Sequence, residues 1–391
     1  MTSIDRIEPW NTCQIKRMAL LSEDQIEVFL RDGVLVVDGI LDDHDLDQAK
    51  CGLAQTLAEY GVNVDDLECT GHALKNLSST NGSGGVLDIF YPKWKLDVAT
   101  NPKLFQATTE LWKATYYYEK ESIESRDQAD RFKWHPYGHF DTAQGFLYMD
   151  RIGYRIPTCI SEKIGAELVA ARNGNQKRTK KVMPLQRSLT PHLDCCPTNR
   201  YSEKSKWRPI QCFVSLTTNI TKNTGGFEAA PGFHKDFENW VEYRRPSIVS
   251  KKVNGISQQL VLSAPCLGEY SHIRPIEDND VMERMQHIPV RAGSAVFWDN
   301  RIPHANEYRN DGLEARAVVY CSFLPNVVAN REYARNQLIN FQHGTKPTDQ
   351  WINKEDANTE TIVPLQTTQI EAWVTPKLST LGCKLMGIDP W

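Results

Sequence analysis

The residues of this chain whose types and spacing are best suited to chemistry are His192-Leu193-Asp194, a distant His304, and Arg316 shortly after it. Two imidazoles and one carboxylate can occupy one face of an Fe(II) ion and leave three positions open for a co-substrate and O2. A following arginine can grip the far end of a dicarboxylate, because its planar guanidinium is always charged and offers two parallel N–H donors. Together these residues point to a non-haem iron oxygenase that consumes 2-oxoglutarate.

The elements that must position them are short strands. On an extended strand residues i and i+2 share a side, so His192 and Asp194 can both reach one metal while Leu193 points away. Pro191 and Pro197 bracket the pair, which suits a short edge strand or a strand end. An H-x-D pair alone is common by chance and takes its meaning from its surroundings. Gly293 to Trp298 is an apolar run closed by the turn residues Asp299-Asn300, and His304 follows Pro303 just beyond. Arg316 to Phe323 is rich in β-formers and stops before Pro325. Alternation puts Arg316, Val318, Tyr320 and Ser322 on one face of it. A buried arginine there needs an anionic partner; taken alone, an ordinary salt bridge or a solvated strand end is the better reading. In the strand from Ile210 to Leu216, Gln211 and Ser215 are polar residues able to line a pocket.

The middle of the chain is where a substrate would be chosen. Gly145 to Pro157 alternates enough to be one core strand, from which Tyr148, Met149, Arg151 and Arg155 can face a cavity. Arg151 reads equally as a carboxylate binder and as a solvated strand arginine. Residues 170–181 are basic and glycine-containing, and read as a solvated loop before they read as a lid over an anion. Toward the N-terminus, Ser22 and Gln25 form a capping box, and Gly33 ends the helix they begin. Val34 to Val37 reads as a short buried strand. Leu46 to Tyr60 and Phe105 to Tyr118 read as further helices, and Ser78 to Gly85 as a flexible loop by composition.

Four blocks of this sequence resemble the phytanoyl-CoA hydroxylase-like family of Fe(II)/2-oxoglutarate dioxygenases. They are Leu21 to Val37, His192-Leu193-Asp194, Thr224 to Lys235 with its Gly225-Gly226 and Pro231-Gly232-Phe233-His234, and Gly293 to Tyr320. The chain departs from the family at Phe233, where serine is usual, and in a His304–Arg316 gap one residue longer. The resemblance implies a mainly β protein with flanking helices (α+β), built on a double-stranded β-helix, or cupin-like jelly roll. It implies a single domain over 1–391: a helical support region at 1–140, the jelly-roll core at 141–325, and a C-terminal extension at 326–391. It implies Fe(II) on His192, Asp194 and His304, and 2-oxoglutarate held by Arg316 with Gln211 and Ser215. Arg151, Arg155, Tyr148 and Trp298 are the substrate-facing candidates. The reaction implied is oxidation of an unactivated C–H bond by hydroxylation, desaturation or ring closure, with O2 consumed and succinate and CO2 released. Halogenation is disfavoured, since Asp194 fills the position a halide would need.

Composition narrows the partners. The chain has 391 residues, 40% of them apolar, enough for a large core. A net charge of −4 argues against general binding to nucleic acid or membranes. The first residues lack an apolar signal region and no apolar run is long enough to span a bilayer. The ten cysteines form no C-x-x-C framework, and read as reduced and cytoplasmic. Cys195-Cys196 adjoins the metal pair, though carboxylate and imidazole suit oxygen-activating iron better than thiolate. The preferred partner is a small polar, carboxylate-bearing metabolite handled by a monomer or weak homodimer. A lipid or acyl-CoA substrate is the alternative, and a non-enzymatic cupin-like metal-binding protein is the second.

Overall fold

The computed structural model describes residues 18–117, 135–172, 183–197, 206–244, 247–253, 256–262, 266–267, 270–347 and 373–391. Its first helix, Glu23–Asp32, starts on the capping box: the Ser22 hydroxyl accepts from the Gln25 amide and the Gln25 side chain accepts from the Ser22 amide. Gly33 ends the helix in the left-handed region, φ 66°, and turns the chain into the first strand.

The strands in chain order are β1 (Val34–Val37), β2 (Val86–Leu87), β3 (Gly145–Tyr148), β4 (Ile152–Arg155), β5 (His192–Leu193), β6 (Ile210–Ser215), β7 (Phe227–Ala229), β8 (Ser247–Val253), β9 (Ile256–Leu262), β10 (Cys266–Leu267), β11 (Tyr270–His272), β12 (Gln286–Ile288), β13 (Ala295–Asp299), β14 (His304–Asn306) and β15 (Arg316–Pro325). One sheet runs β1-β13-β6-β15-β4-β2, with β3 also paired to β15. A second runs β10-β11-β5-β14-β7-β12, and β8 and β9 pair with each other. The described ladders are antiparallel. The protein is thus a mixed α+β chain of mostly antiparallel sheets with flanking helices.

The first sheet is apolar on both faces, so β6 and β13 are buried at every position. Cys212, Val214, Phe297, Val319 and Phe323 pack with residues of the flanking helices such as Leu57, Leu96, Phe105 and Trp112. The alternate residues Phe213, Val296, Trp298 and Val318 pack instead with Phe227 and Ala229 of the second sheet. This period-2 division is what aims Gln211, Trp298 and Arg316 away from the helices.

Three expectations change. Gly145 to Pro157 is two strands rather than one. The Asp150 carboxylate accepts from the Arg151 amide, and the Met149 amide donates to Gln337 Oε1 of a distant helix, so polar partners outside the ladder interrupt it. The long β15 then pairs β4 along its first half and β3 along its second. The short strand β5 is not an edge, because β11 and β14 flank it. The glycine-rich stretch at 78–85 is pinned: Gly84 N–H donates to Arg187 O and Arg187 N–H to Gly82 O. A Cβ on Gly82 would lie 2.4 Å from Leu185 O, so close backbone approach requires glycine there. Most of the basic stretch after Arg172, and Tyr118, lie outside the described residues.

Helix Lys93–Ala99 places Lys95 wholly inside, where among the described residues its Nζ meets Phe90 O at 3.2 Å and Met149 Sδ at 3.6 Å as hydrogen-bond acceptors. Burial pulls its pKa down to about 8, partly opposed by Asp150. The folded state therefore binds fewer protons than the unfolded state between that value and the ordinary lysine value. Stability should rise with pH across this window, and the penalty should be full below it. Lys95→Met should stabilise the protein at pH 7 by up to about 3 kcal/mol and flatten the rise. Denaturant unfolding at pH 7 and 9.5 reads both; equal pH dependence in the two proteins would contradict this.

Candidate metal centre

The pairing of β5 with β14 sets His192 and His304 directly opposite each other across the strands. Asp194 follows two residues after His192, and the three side chains bring one ligand atom each within 4.8 Å of one another. His192 Nε2 is 3.6 Å from Asp194 Oδ1, and His304 Nε2 is 3.6 Å from Asp194 Oδ2. The imidazole centroids are 4.5 Å apart.

Backbone carbonyls fix the ring orientations. His192 Nδ1 lies 2.9 Å from Thr190 O, and His304 Nδ1 lies 3.0 Å from Ile302 O. A carbonyl can only accept, so each Nδ1 carries a proton and each Nε2 is left facing Asp194. Holding the second ring nitrogen in this way is how metal-ligating histidines are commonly oriented. Tyr270 adds a stacked ring 4.6 Å from His192, and Trp298 lies 5.1 Å from His304. Burial, reinforced by His304, pushes the His192 pKa down to about 4, so the imidazole is neutral near pH 7. Burial alone would raise the Asp194 carboxyl, but His304, His192 and Arg208 hold it well below the usual carboxylate range. Two imidazoles and one carboxylate are a suitable donor set for Fe(II).

Arg316 opens β15 and is 2% exposed. Its Nη1 donates to Asn306 Oδ1 at 2.8 Å, and its guanidinium lies over the Phe213 ring at 5.2 Å. Its Nη2 is buried with no hydrogen-bond partner among the described residues. Asn306 stands two residues past His304 on β14, hence on the same face, and also donates to Tyr320 Oη at 2.7 Å. Asn306 therefore couples the guanidinium to the strand that carries His304. The i+2 spacing from His304 was the available signal for Asn306, which sequence reasoning overlooked.

The other expected residues divide. Gln211 Nε2 and Trp298 Nε1 are buried donors with no partner among the described residues, and the two residues pair across β6 and β13. The Ser215 hydroxyl donates to Thr217 O. Arg151 is held by Asp88 at 2.7 Å and lies over Phe90. Arg155 pairs across the strands with Arg316, yet its side chain donates to the carbonyls of Tyr308 and Arg187 and stacks on the Tyr308 ring. Tyr148 stacks on Tyr333 at 5.5 Å and lies beneath Arg208. Cys195 is buried with its Sγ directed to Asn300 O at 3.5 Å, and it does not join the metal-site group. Phe233, the departure from the family hairpin, fills an aromatic pocket with Phe237 and Trp240.

A family model described as Gig2-like matches residues 196–377. The match includes His304 and Arg316 but begins just after Asp194, and its description is not phytanoyl-CoA hydroxylase-like. No curated protein matches. Among solved structures the chain is similar to GlcNAc Inducible Gene 2, GIG2 (DUF1479), from Candida albicans, with TM-score 0.62 and 15% identity over 96% of this chain and 78% of that one. It is similar to the hypothetical protein JW0805 from Escherichia coli, with TM-score 0.53 and 15% identity over 94% and 82% of the two chains. It is also similar to a putative oxidoreductase from Salmonella typhimurium LT2, with TM-score 0.53 and 14% identity over 94% and 83%. At these identities the likeness is one of fold: the chain shares its architecture with these structures.

Proposed function

We propose that this protein is an Fe(II)/2-oxoglutarate-dependent oxygenase that oxidises a C–H bond of a small, carboxylate-bearing metabolite. The observation that carries the reading is Arg316, a buried guanidinium with an unpartnered Nη2, tied through Asn306 to the strand bearing His304. An unpaired buried charge is costly, and a dicarboxylate reaching from the metal to Arg316 would remove that cost. His192, Asp194 and His304 would hold the iron, and Gln211 and Trp298 offer further N–H donors nearby. The iron, when bound with 2-oxoglutarate and O2, supplies the oxidising power for the C–H bond. The chain's own part is to fix both imidazoles, hold the carboxylate ionised and grip the distal end of the co-substrate.

The strand order supports a double-stranded β-helix as the core. From β4 to β7 and again from β12 to β15 the chain alternates between the two sheets, while β8 and β9 pair with each other and β10 and β11 join the second sheet. Arg155 has no carboxylate partner among the described residues, which favours an anionic ligand at this end of the interior. Arg151 adds nothing to that preference, because Asp88 neutralises it.

Anaerobic titration should find one Fe(II) site per chain, lost in His192→Ala and in Asp194→Ala. A site surviving in both variants would remove the assignment. Arg316→Ala should raise the 2-oxoglutarate KM by roughly ten-fold to a hundred-fold, as expected for a charge-assisted hydrogen bond worth about 1.5–3 kcal/mol. Arg316→Lys should recover only part, since lysine lacks the planar fork. An unchanged KM in both variants, read from succinate release, would show that Arg316 only supports the fold.

A further inference from the structure

We infer that Arg208 is a positioning residue that sets the orientation of the metal-site carboxylate and ties it to the turn between β3 and β4. The inference rests on the metal-site reading above. Arg208 lies just before β6 and is 9% exposed. Its Nη2 is 3.4 Å from Asp194 Oδ2, and its Nη1 is 3.3 Å from Asp150 Oδ2. Its guanidinium lies over the Tyr148 ring at 4.3 Å, and Lys206 Nζ lies over the same ring at 5.0 Å. Tyr148 in turn rests on Tyr333 of helix Val328–His343. One side chain thus spans two carboxylates, and an aromatic stack limits its movement.

The consequence for Asp194 is geometric. This residue lies just beyond β5 and has no ladder partner of its own among the described residues. Its carboxylate is oriented by what its oxygens meet. Oδ1 faces His192, while Oδ2 is shared between His304 and Arg208. A donor on Oδ2 favours coordination through one oxygen and discourages the two-oxygen mode that would consume an open position on the metal. Asp150 holds the far side of the guanidinium, so the arrangement Asp194–Arg208–Asp150 connects the second sheet to the end of β3.

Two effects of removing Arg208 oppose each other. Its positive charge repels a bound dication, so its loss should tighten metal binding on Coulombic grounds alone. Its hydrogen bond orients a ligand, and loss of such an outer partner typically weakens metal binding by about 10–100-fold. The positioning role predicts that the second effect wins. Anaerobic Fe(II) titration of the full chain should show Arg208→Met weakened at least ten-fold, with Arg208→Lys intermediate. The Co(II) absorption spectrum of Arg208→Met should change in band position or intensity, while Arg208→Lys should stay nearer the parent. Asp150→Asn, which loosens the far tether and leaves Arg208 in place, should weaken Fe(II) by less than Arg208→Met does. Circular dichroism and thermal melting identify a variant that has lost its fold, and Asp150→Asn then decides: an unaltered affinity and Co(II) spectrum would overturn the inference. Equal or tighter Fe(II) binding by folded Arg208→Met with an unchanged Co(II) spectrum would also overturn it. Loss of metal in His192→Ala checks the underlying site separately; if the parent protein binds no divalent ion, both readings fall.

Discussion

Two carbonyl groups set the geometry on which the rest of the site depends. Thr190 O and Ile302 O each take the Nδ1 proton of the histidine two residues further on. Without them the imidazoles could rotate or change tautomer, and the two Nε2 atoms would no longer converge on Asp194. The ladder between β5 and β14 then makes the two histidines cross-strand neighbours. The surrounding sheets serve this constraint. β11 holds β5 from its other side, and β7 holds β14.

Charge buried between the sheets is the second theme. Arg155 and Arg316 stand side by side across β4 and β15, and neither has a protein carboxylate as partner among the described residues. Arg155 stays soluble in the interior because carbonyl oxygens accept its N–H groups. The fit is tight, since a Cβ on Gly225 would lie 2.9 Å from Arg155 Cγ, and Gly225 itself sits at φ 70°. That explains the first glycine of the pair read in the sequence. Arg316 differs in that its Nη2 has no hydrogen-bond partner among the described residues. A buried donor without a partner costs stability, and the 2-oxoglutarate proposed for this site would supply the acceptor.

Much of this was legible in the sequence because the side-chain period of a strand is two. That rule put His192 with Asp194, and Arg316 with Val318 and Tyr320, on common faces. The helix limits at Ser22 and Gly33 were legible because capping is local chemistry. What the sequence hid depended on distant partners. Arg151 and Arg155 share a stretch of chain and looked alike, yet Asp88 claims the first and the carbonyls of Tyr308 and Arg187 claim the second. No local signal announced the interruption between β3 and β4, since Gln337 comes from a helix far along the chain. Arg208 was hidden for the same reason: its two carboxylates lie on different segments.

The central claim is that one iron and one 2-oxoglutarate share the interior with His192, Asp194, His304 and Arg316. The most direct measurement is a crystal structure grown without oxygen in the presence of Fe(II) and 2-oxoglutarate, with anomalous data at the iron edge. The account predicts one strong anomalous peak bonded to Nε2 of His192, Nε2 of His304 and a single oxygen of Asp194, with the distal carboxylate of 2-oxoglutarate against Arg316 Nη2. An iron peak bound elsewhere, or a co-substrate whose distal carboxylate leaves Arg316 Nη2 unpaired, would contradict it.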